Sequence, residues 1–242
     1  MAASSYCFYD RLPSHVWELY LLPFLSGEEL LRLRSVCTAW RQAMTKSHQV
    51  VFSGPVHAEA VALVTANARS LTVANTSPTP LRDIHLLITS LDPAVTRSIS
   101  LRCTVNDRLL TALQPFAPML QCLDLTGANW ASSDTLTQAF NTRWPHLQRL
   151  KLHHSLRISD AIVSAWFGGA KEADLGFPSL QHLELNGSHE LQHPMLRLPN
   201  LKTACFNGCR ALAAVTLQAP LLEDLSLANT AISNDAVQPM LE

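Results

Sequence analysis

The fold is decided by a phrase that residues 178–185 spell as PSLQHLEL, residues 199–206 as PNLKTACF and residues 220–227 as PLLEDLSL. Each copy begins with Pro, has Leu two positions later and ends with two apolar residues that one other residue separates. Earlier copies read PMLQCLDL at residues 118–125 and PHLQRLKL at residues 145–152. Repetition of this kind predicts a fold built from stacked units.

The two apolar residues at the end of each phrase have the spacing of a β-strand. Because successive side chains of a strand point to opposite faces, both apolar residues share one face and the residue between them takes the other. Two weaker upstream copies follow the pattern, one with Leu71 and Val73 and one with Ile99 and Leu101. Stacked copies would bury a continuous apolar ladder that no single copy could bury.

A small residue follows each phrase at the third position, where we expect the chain to turn into the interior and leave no room for bulk. In chain order these residues are Thr76, Thr104, Ala128, Ser155, Ser188, Cys209 and Thr230. The pattern predicts about seven copies over residues 67–242.

The chain between the phrases predicts two kinds of return path. After several strands an Asp precedes a helical pattern, and we expect it to act as N-cap because its carboxylate accepts free backbone N–H groups. These aspartates are Asp83, Asp107, Asp134, Asp160 and Asp235. The two 21-residue intervals are too short for a strand and a helix, so we expect an extended return in which Leu196 aligns with Leu217. The longest interval predicts a surface loop at residues 167–177.

These phrases, with their Pro, Leu and small positions in register, resemble leucine-rich repeats. The resemblance implies an α/β fold, a leucine-rich-repeat solenoid in which a curved parallel sheet has a helical or extended convex side. On this interpretation the repeated leucines are structural and take no part in chemistry.

The amino-terminal residues follow a different pattern. Residues 12–26, LPSHVWELYLLPFLS, are apolar almost all round a helical wheel, which indicates burial in a core, a membrane or a partner. Glu18 and Pro23 interrupt the stretch, and it is shorter than the roughly 20 apolar residues that span a bilayer. Ser26 and Glu29 then form a capping box that predicts a second helix. So short a segment cannot build a sufficient core around these side chains.

Leu12-Pro13, the apolar helix, and then Leu30, Leu33, Val36-Cys37 and Trp40-Arg41 resemble the F-box. The resemblance implies a small all-α domain that docks onto the adaptor subunit of an SCF-type ubiquitin ligase, and through it onto a cullin–RING scaffold. The implied adaptor-binding residues are Leu12, Pro13, Val16, Trp17, Tyr20, Leu21, Leu25, Leu30 and Leu33. The implied core residues of the F-box are Val36, Cys37 and Trp40. The alternative, which involves no adaptor, is that this segment only covers the open end of the repeats.

The two resemblances divide the chain into an amino-terminal tail at residues 1–11, an F-box at 12–48, a connecting strand and helix at 49–66, and repeats at 67–242. An F-box followed by leucine-rich repeats resembles a substrate receptor of that ligase. The alternatives are a repeat scaffold or inhibitor outside any ligase, and an enzyme on a repeat fold.

The strand pattern also predicts which residues would face a protein substrate. Side chains between and after the paired apolar positions should lie on the concave side, either as a substrate footprint or merely as a solvated face. The candidates are Arg102, Asp124, Lys151, His153, Glu184, Asn186 and Asn207.

Composition excludes several other classes of protein. The net charge is −1 and no run of Lys or Arg occurs, unlike a nucleic-acid-binding protein. Six cysteines form no CxxC pair and no secretory signal precedes them, which favours reduced thiols in cytoplasm or nucleus. No catalytic motif is present, and the scattered histidines and cysteines lack metal-ligand spacing, so we expect no catalytic residue, metal or cofactor and no membrane or nucleic-acid partner.

Overall fold

The computed structural model describes residues 25, 29, 32, 49–52, 68–74, 81–126, 131–168 and 176–233. They belong to two compact units, Met1–Thr96 and Arg97–Glu242. Both units combine parallel strands with helices, so the protein is of the α/β class. No helix within the described ranges is long and apolar enough to cross a membrane.

The first unit contains a pair of parallel strands among its described residues. Its elements are β1 (Gln49–Phe52), β2 (Ser70–Ala74) and the helix α1 (Leu81–Thr89). Val50 of β1 is in register with Leu71 of β2, and Phe52 with Val73, and all four side chains are buried. This confirms the strand predicted after residue 48 and the weak repeat copy at Leu71. The helix expected before residue 66 lies outside the described residues.

The second unit contains six parallel strands in one sheet, a second sheet of two parallel strands, and three helices among its described residues. The strands of the larger sheet, in spatial order, are β3 (Ser98–Arg102), β4 (Cys122–Leu125), β5 (Arg149–Lys151), β6 (His182–Glu184), β8 (Thr203–Cys205) and β10 (Asp224–Ser226). The smaller sheet pairs β7 (Met195–Arg197) with β9 (Thr216–Gln218). The helices are α2 (Asp107–Leu113), α3 (Ser133–Asn141) and α4 (Asp160–Phe167), with a 3₁₀ turn at Gln114–Phe116.

The larger sheet stacks equivalent residues of the repeats directly beside one another. The first apolar positions form one ladder in register: Ile99, Leu123, Leu150, Leu183, Ala204 and Leu225. Ile99 to Ala204 are buried, and Leu225 is half-buried. The second apolar positions, from Leu101 to Phe206, are buried as well. The predicted strands and the predicted apolar ladder are therefore confirmed.

The small residue that follows each phrase is buried in three repeats. Ser155, Ser188 and Cys209 have no exposed surface, as expected. Thr104 is instead exposed, because Cys103 and Val105 take the inward positions in that repeat. Thr230 is half-buried. The prediction of a buried small residue is therefore wrong for Thr104 and only partly met at Thr230. Thr76 and Ala128 lie outside the described residues.

A left-handed residue turns the chain immediately before each of the last four small positions. The backbone φ is 54° at His154, 71° at Gly187, 74° at Gly208 and 58° at Asn229. Glycine and asparagine tolerate this conformation best, since they meet little or no steric penalty in it. The repeat therefore contains a structural position, two residues after the second apolar residue, that the spacing of leucines does not indicate.

The aspartates at the four described helix starts do not act as N-caps. Asn106 caps α2 by accepting from Leu109 N, and Ser132 caps α3 by accepting from Thr135 N. The aspartates of these repeats lie inside the first helical turn, where a negative charge still suits the helix N-terminus: Asp107, Asp134 and Asp160. Helix α1 begins two residues before Asp83. The N-cap prediction is therefore wrong for the four described aspartates. At α2 and α3 the side chains of Asn106 and Ser132 accept the free N–H groups instead, whereas Ser159 at the start of α4 makes no such bond. Asp235 lies outside the described residues.

The two short intervals return through strands, as predicted. In the parallel pair β7–β9, Leu196 is in register with Leu217. Backbone bonds extend the pairing on both sides, since Ala213 N donates to Gln192 O and Leu198 N donates to Gln218 O. A strand covers 3.2–3.4 Å per residue against about 1.5 Å in a helix, so fewer residues span the same return path.

Helices α3 and α4 of the second unit contribute to a buried layer that is rich in aromatic side chains. The layer consists of Phe140, Trp144, Trp166, Phe167 and Phe177, all buried. Phe140 lies 4.8 Å from Trp166, 5.5 Å from Trp144 and 6.1 Å from Phe177, measured between ring centroids. Edge-to-face and tilted contacts at these distances add to the burial of apolar area.

Candidate functional site

The residues that the F-box resemblance implies fall almost wholly outside the described part of the chain. Leu25 is described alone and is half-buried in a bend, while Glu29 and Arg32 are exposed at helical positions. The two helical positions agree with the helix predicted after Ser26. The other implied adaptor-binding and core residues lie outside the described residues: Leu12, Pro13, Val16, Trp17, Tyr20, Leu21, Leu30, Leu33, Val36, Cys37 and Trp40.

The predicted substrate-facing residues lie on one face of the larger sheet of the second unit. We call this the polar face; its side chains alternate with the buried ladder. Arg102 is exposed there, and the other six candidates are half-buried: Asp124, Lys151, His153, Glu184, Asn186 and Asn207. The structure arranges the seven into two carboxylate-centred clusters and an asparagine pair.

The first cluster is built around Asp124 of β4. Ser100 Oγ donates to Asp124 Oδ2 at 3.1 Å, and Thr126 Oγ1 donates to Oδ1 at 2.8 Å. Arg102 Nε lies 3.6 Å from Oδ2, but 62% of the Arg102 side chain is exposed. Such an exposed ion pair contributes at most about 1 kcal/mol. The carboxylate is thus occupied by its neighbours, while the guanidinium remains available to a partner.

The second cluster is built around Glu184 of β6. Lys151 Nζ lies 2.7 Å from Oε1, and His153 Nε2 lies 2.7 Å from Oε2. Burial alone would raise the pKa of Glu184, but the bonds and charges of Lys151 and His153 outweigh it and lower that pKa. The register places Lys151 directly beside Glu184. Glu184 is therefore ionised at neutral pH, with both oxygens engaged.

The asparagine pair joins consecutive repeats. Asn186 Oδ1 accepts from Asn207 N at 2.8 Å. Asn207 Oδ1 in turn accepts from Ala228 N and from Ser226 Oγ, both at 2.8 Å. Because both amide oxygens already accept these hydrogen bonds, a partner would contact mainly the NH₂ groups of the two side chains. The sequence marked both residues as partner-facing and did not reveal this structural role.

The group around His182 lies one position before the apolar pair, outside the positions between and after that pair from which the substrate-facing residues were predicted. His182 Nδ1 lies 2.6 Å from Thr203 Oγ1. Arg149, His182 and Thr203 are in register, one residue before the first apolar position. Burial, and the charges of Arg149, Lys202 and Lys151, lower the pKa of His182 against a smaller opposing effect of Glu184. Strand alternation would have placed these residues on the polar face.

The described cysteines are poor nucleophiles. Burial raises the pKa of Cys103 to about 11 and also raises the pKa values of Cys122, Cys205 and Cys209. All four are free thiols, and Cys209 Sγ donates to Leu185 O at 3.1 Å. Since the thiolate is the reactive form, these groups do not supply one at neutral pH. Within the described ranges, no three His, Cys, Asp or Glu side chains converge on a metal-sized site.

No protein-family model and no curated protein matches the chain. The candidate site is the polar face of the second unit, with its paired charges and its exposed cations.

Proposed function

We propose that this chain is the substrate-recognition subunit of an SCF-type E3 ubiquitin ligase, a leucine-rich-repeat solenoid preceded by an all-α F-box. The observation that carries the repeat half of the proposal is the ladder of apolar residues in register across the six-stranded sheet. The ligase half is supported by the F-box resemblance of Leu12 to Arg41.

In this function the F-box docks on the adaptor and the repeats hold the protein to be ubiquitinated. The chain supplies no catalytic group; it raises the local concentration of the substrate beside the ubiquitin-charged enzyme, which is catalysis by proximity. A repeat array suits this task because neighbouring strands present one continuous surface. The chain would act in the cytoplasm or nucleus, where such ligases and reduced thiols occur together.

The polar face favours a protein partner over a small molecule. Its donors, from Arg102 on β3 to Asn207 after β8, are spread across five strands instead of converging in one cavity. Adjacent strands are about 4.8 Å apart, so these residues span a distance suited to a polypeptide surface.

Binding to purified adaptor tests the proposal. The full chain should capture the adaptor in a pull-down, and a variant carrying Leu12→Ala with Pro13→Ala should capture at least tenfold less. Leu221→Ala is the matched control, because Leu221 is a large apolar side chain that is 51% exposed in the repeats. Failure of the unmodified chain to bind the adaptor would refute the ligase assignment.

The same experiment distinguishes the ligase assignment from the alternative function. A scaffold or inhibitor outside any ligase would bind protein partners through the repeats and leave the adaptor uncaptured. Turnover of a substrate by the isolated chain would contradict both assignments.

A further inference from the structure

Two asparagines of the polar face are each followed directly by glycine, in Asn186-Gly187 and Asn207-Gly208. They are the two Asn-Gly pairs of the sequence, and they occupy equivalent positions after β6 and β8. Because glycine has no side chain to shield its backbone nitrogen, that nitrogen can approach the side-chain amide of the preceding asparagine. An asparagine therefore loses its amide nitrogen more readily before glycine than before any other residue.

The reaction needs no catalyst and no reactant other than water. The glycine N–H loses its proton, its nitrogen bonds to Cγ of the asparagine, and the Cγ–Nδ2 bond breaks, so that Nδ2 leaves with the proton as ammonia. Water then opens the succinimide ring at either carbonyl carbon and leaves aspartate or its β-linked isomer, isoaspartate. The ring can close only when the glycine N–H and the asparagine side chain are both free to move.

In the folded protein, one residue of the next repeat holds both reacting groups of each pair. Asn207 N donates to Asn186 Oδ1 at 2.8 Å, and Asn207 O accepts from Gly187 N at 2.9 Å. In the same way, Ala228 N donates to Asn207 Oδ1 at 2.8 Å, and Ala228 O accepts from Gly208 N at 2.8 Å. The two pairs thus share the same chemistry and the same two protecting bonds.

The two protecting residues differ in how firmly the sheet holds them. Asn207 follows the buried Phe206 at the end of β8, an inner strand of the larger sheet. Ala228 is exposed and follows the half-buried Leu227 just after β10, the last strand of that sheet within the described residues. Segments with few buried apolar contacts open more often than the core of a protein. Release of Ala228 alone frees the second pair, whereas the first is freed only when β8 separates from β6.

We propose that Asn207-Gly208 is a site of spontaneous deamidation in the folded protein, and that the fold protects Asn186-Gly187. Aspartate at position 207 would replace the NH₂ donors with carboxylate oxygens and add a negative charge to the polar face. Isoaspartate would lengthen the main chain by one atom at the left-handed turn, where φ of Gly208 is 74°. Either product alters a residue predicted to face a protein substrate, so the reaction would limit how long the chain keeps that surface intact.

The test compares the two pairs within one molecule. The full chain is incubated in warm, mildly alkaline buffer and digested, and mass spectrometry follows the peptides that contain residues 186 and 207. In the native chain, residue 207 should deamidate at least about tenfold faster than residue 186, because its protecting residue is released more often. In concentrated urea the two rates should become similar, because both sets of protecting bonds are lost.

Two variants test whether the last strand controls the reaction. Leu227→Ala removes half-buried apolar contacts directly before Ala228 and should speed deamidation at residue 207 by about threefold or more, with no change at residue 186. Leu221→Ala, which shortens a side chain that is 51% exposed, should leave both rates unchanged.

Equal native rates at the two pairs, or a difference that persists in urea, would overturn the proposal. So would an effect of Leu227→Ala that is absent at residue 207 or equal at both residues. None of these outcomes depends on adaptor binding, so the deamidation site and the ligase assignment fail separately.

Discussion

The repeats that begin with β3, β4 and β5 return to the sheet through a helix, whereas those that begin with β6 and β8 return through a strand. We call them the helix-backed and strand-backed repeats. Both kinds have the same strand phrase and the same buried ladder. What differs is the number of residues between phrases, which leaves room for a helix in one and only for β7 or β9 in the other. One strand pattern thus supports two covering layers.

The two layers are stabilised differently. The helix-backed repeats bury the aromatic layer centred on Phe140, whereas the strand-backed repeats bury fewer large side chains and add backbone hydrogen bonds between β7 and β9. Asp160, in the first turn of α4, accepts from the backbone N–H groups of Gln192 and His193 at 2.9 and 2.8 Å. Its carboxylate joins α4 to the first strand-backed return.

The largest expected effect compares the two covering layers. Phe140→Ala should lower the free energy of unfolding by about 3–5 kcal/mol, since it removes a buried ring and its aromatic contacts. Leu196→Ala, at an equally buried position in β7, should cost about 2–3 kcal/mol because the smaller side chain leaves a smaller cavity. Urea denaturation of the full chain measures both. A greater loss from Leu196→Ala would contradict the difference between the layers.

The next effect concerns the left-handed turns on either side of the first strand-backed return. Gly208→Ala should cost about 1 kcal/mol from the positive φ alone, because the added Cβ would lie in ordinary contact 3.9 Å from Gly187. Gly187→Ala should cost about 2–3 kcal/mol, because its Cβ would also lie 2.7 Å from His154 Nδ1. Thermal and urea unfolding of the two variants check this difference.

His154 provides the control for that pair. In a background of His154→Gly, Gly187→Ala should cost no more than Gly208→Ala does, since the imidazole that crowds the new Cβ is gone. If Gly187→Ala lowers the free energy of unfolding by the same amount in both backgrounds, the imidazole of His154 does not constrain the turn at Gly187.

A smaller effect is expected at the junction of the two kinds of repeat. Asp160→Ala should cost about 1–2 kcal/mol because it frees two backbone N–H groups of the strand-backed return. Asp107→Ala is the matched control within the helix-backed repeats, since Asp107 accepts one such bond, from Ser132 N, and should cost about 1 kcal/mol. Amide exchange at Gln192 and His193 should quicken only in the first variant; equal exchange would argue against the junction.

The smallest effect is a pH dependence at β6, the first strand-backed strand. The pKa of His182 is lowered in the folded protein, so stability is lost as the pH falls below about 6.5, where the unfolded chain gains a proton first. The lowered pKa of Glu184 adds a loss only at more acid pH, as the pH falls below about 4.5. Between pH 7 and 5, His182→Gln should flatten the dependence of the free energy of unfolding on pH, a slope that corresponds to less than one proton. His153→Gln serves as the comparison. If the slope were unchanged in His182→Gln, the titration would belong to another group.

Much of the fold could be predicted from the chain alone because the decisive pattern is local. Two-residue alternation placed Leu123 and Leu150 inside and Asp124 and Lys151 outside, and the interval lengths separated helical from extended returns. The caps of α2 and α3 were predicted one and two residues too far along, since Asn106 and Ser132 accept the free N–H groups that the aspartates were expected to bind.

The candidate site was predicted less completely because it depends on pairs of residues far apart in sequence. Three features of the site depend on strand register and side-chain conformation. Glu184 engages Lys151 and His153, the Asn207 amide oxygen accepts from the next repeat, and Arg149 lies beside His182. Periodicity along one strand specifies which face a residue occupies. Only the packing of neighbouring strands decides which residues on that face neutralise one another and which stay available to a partner.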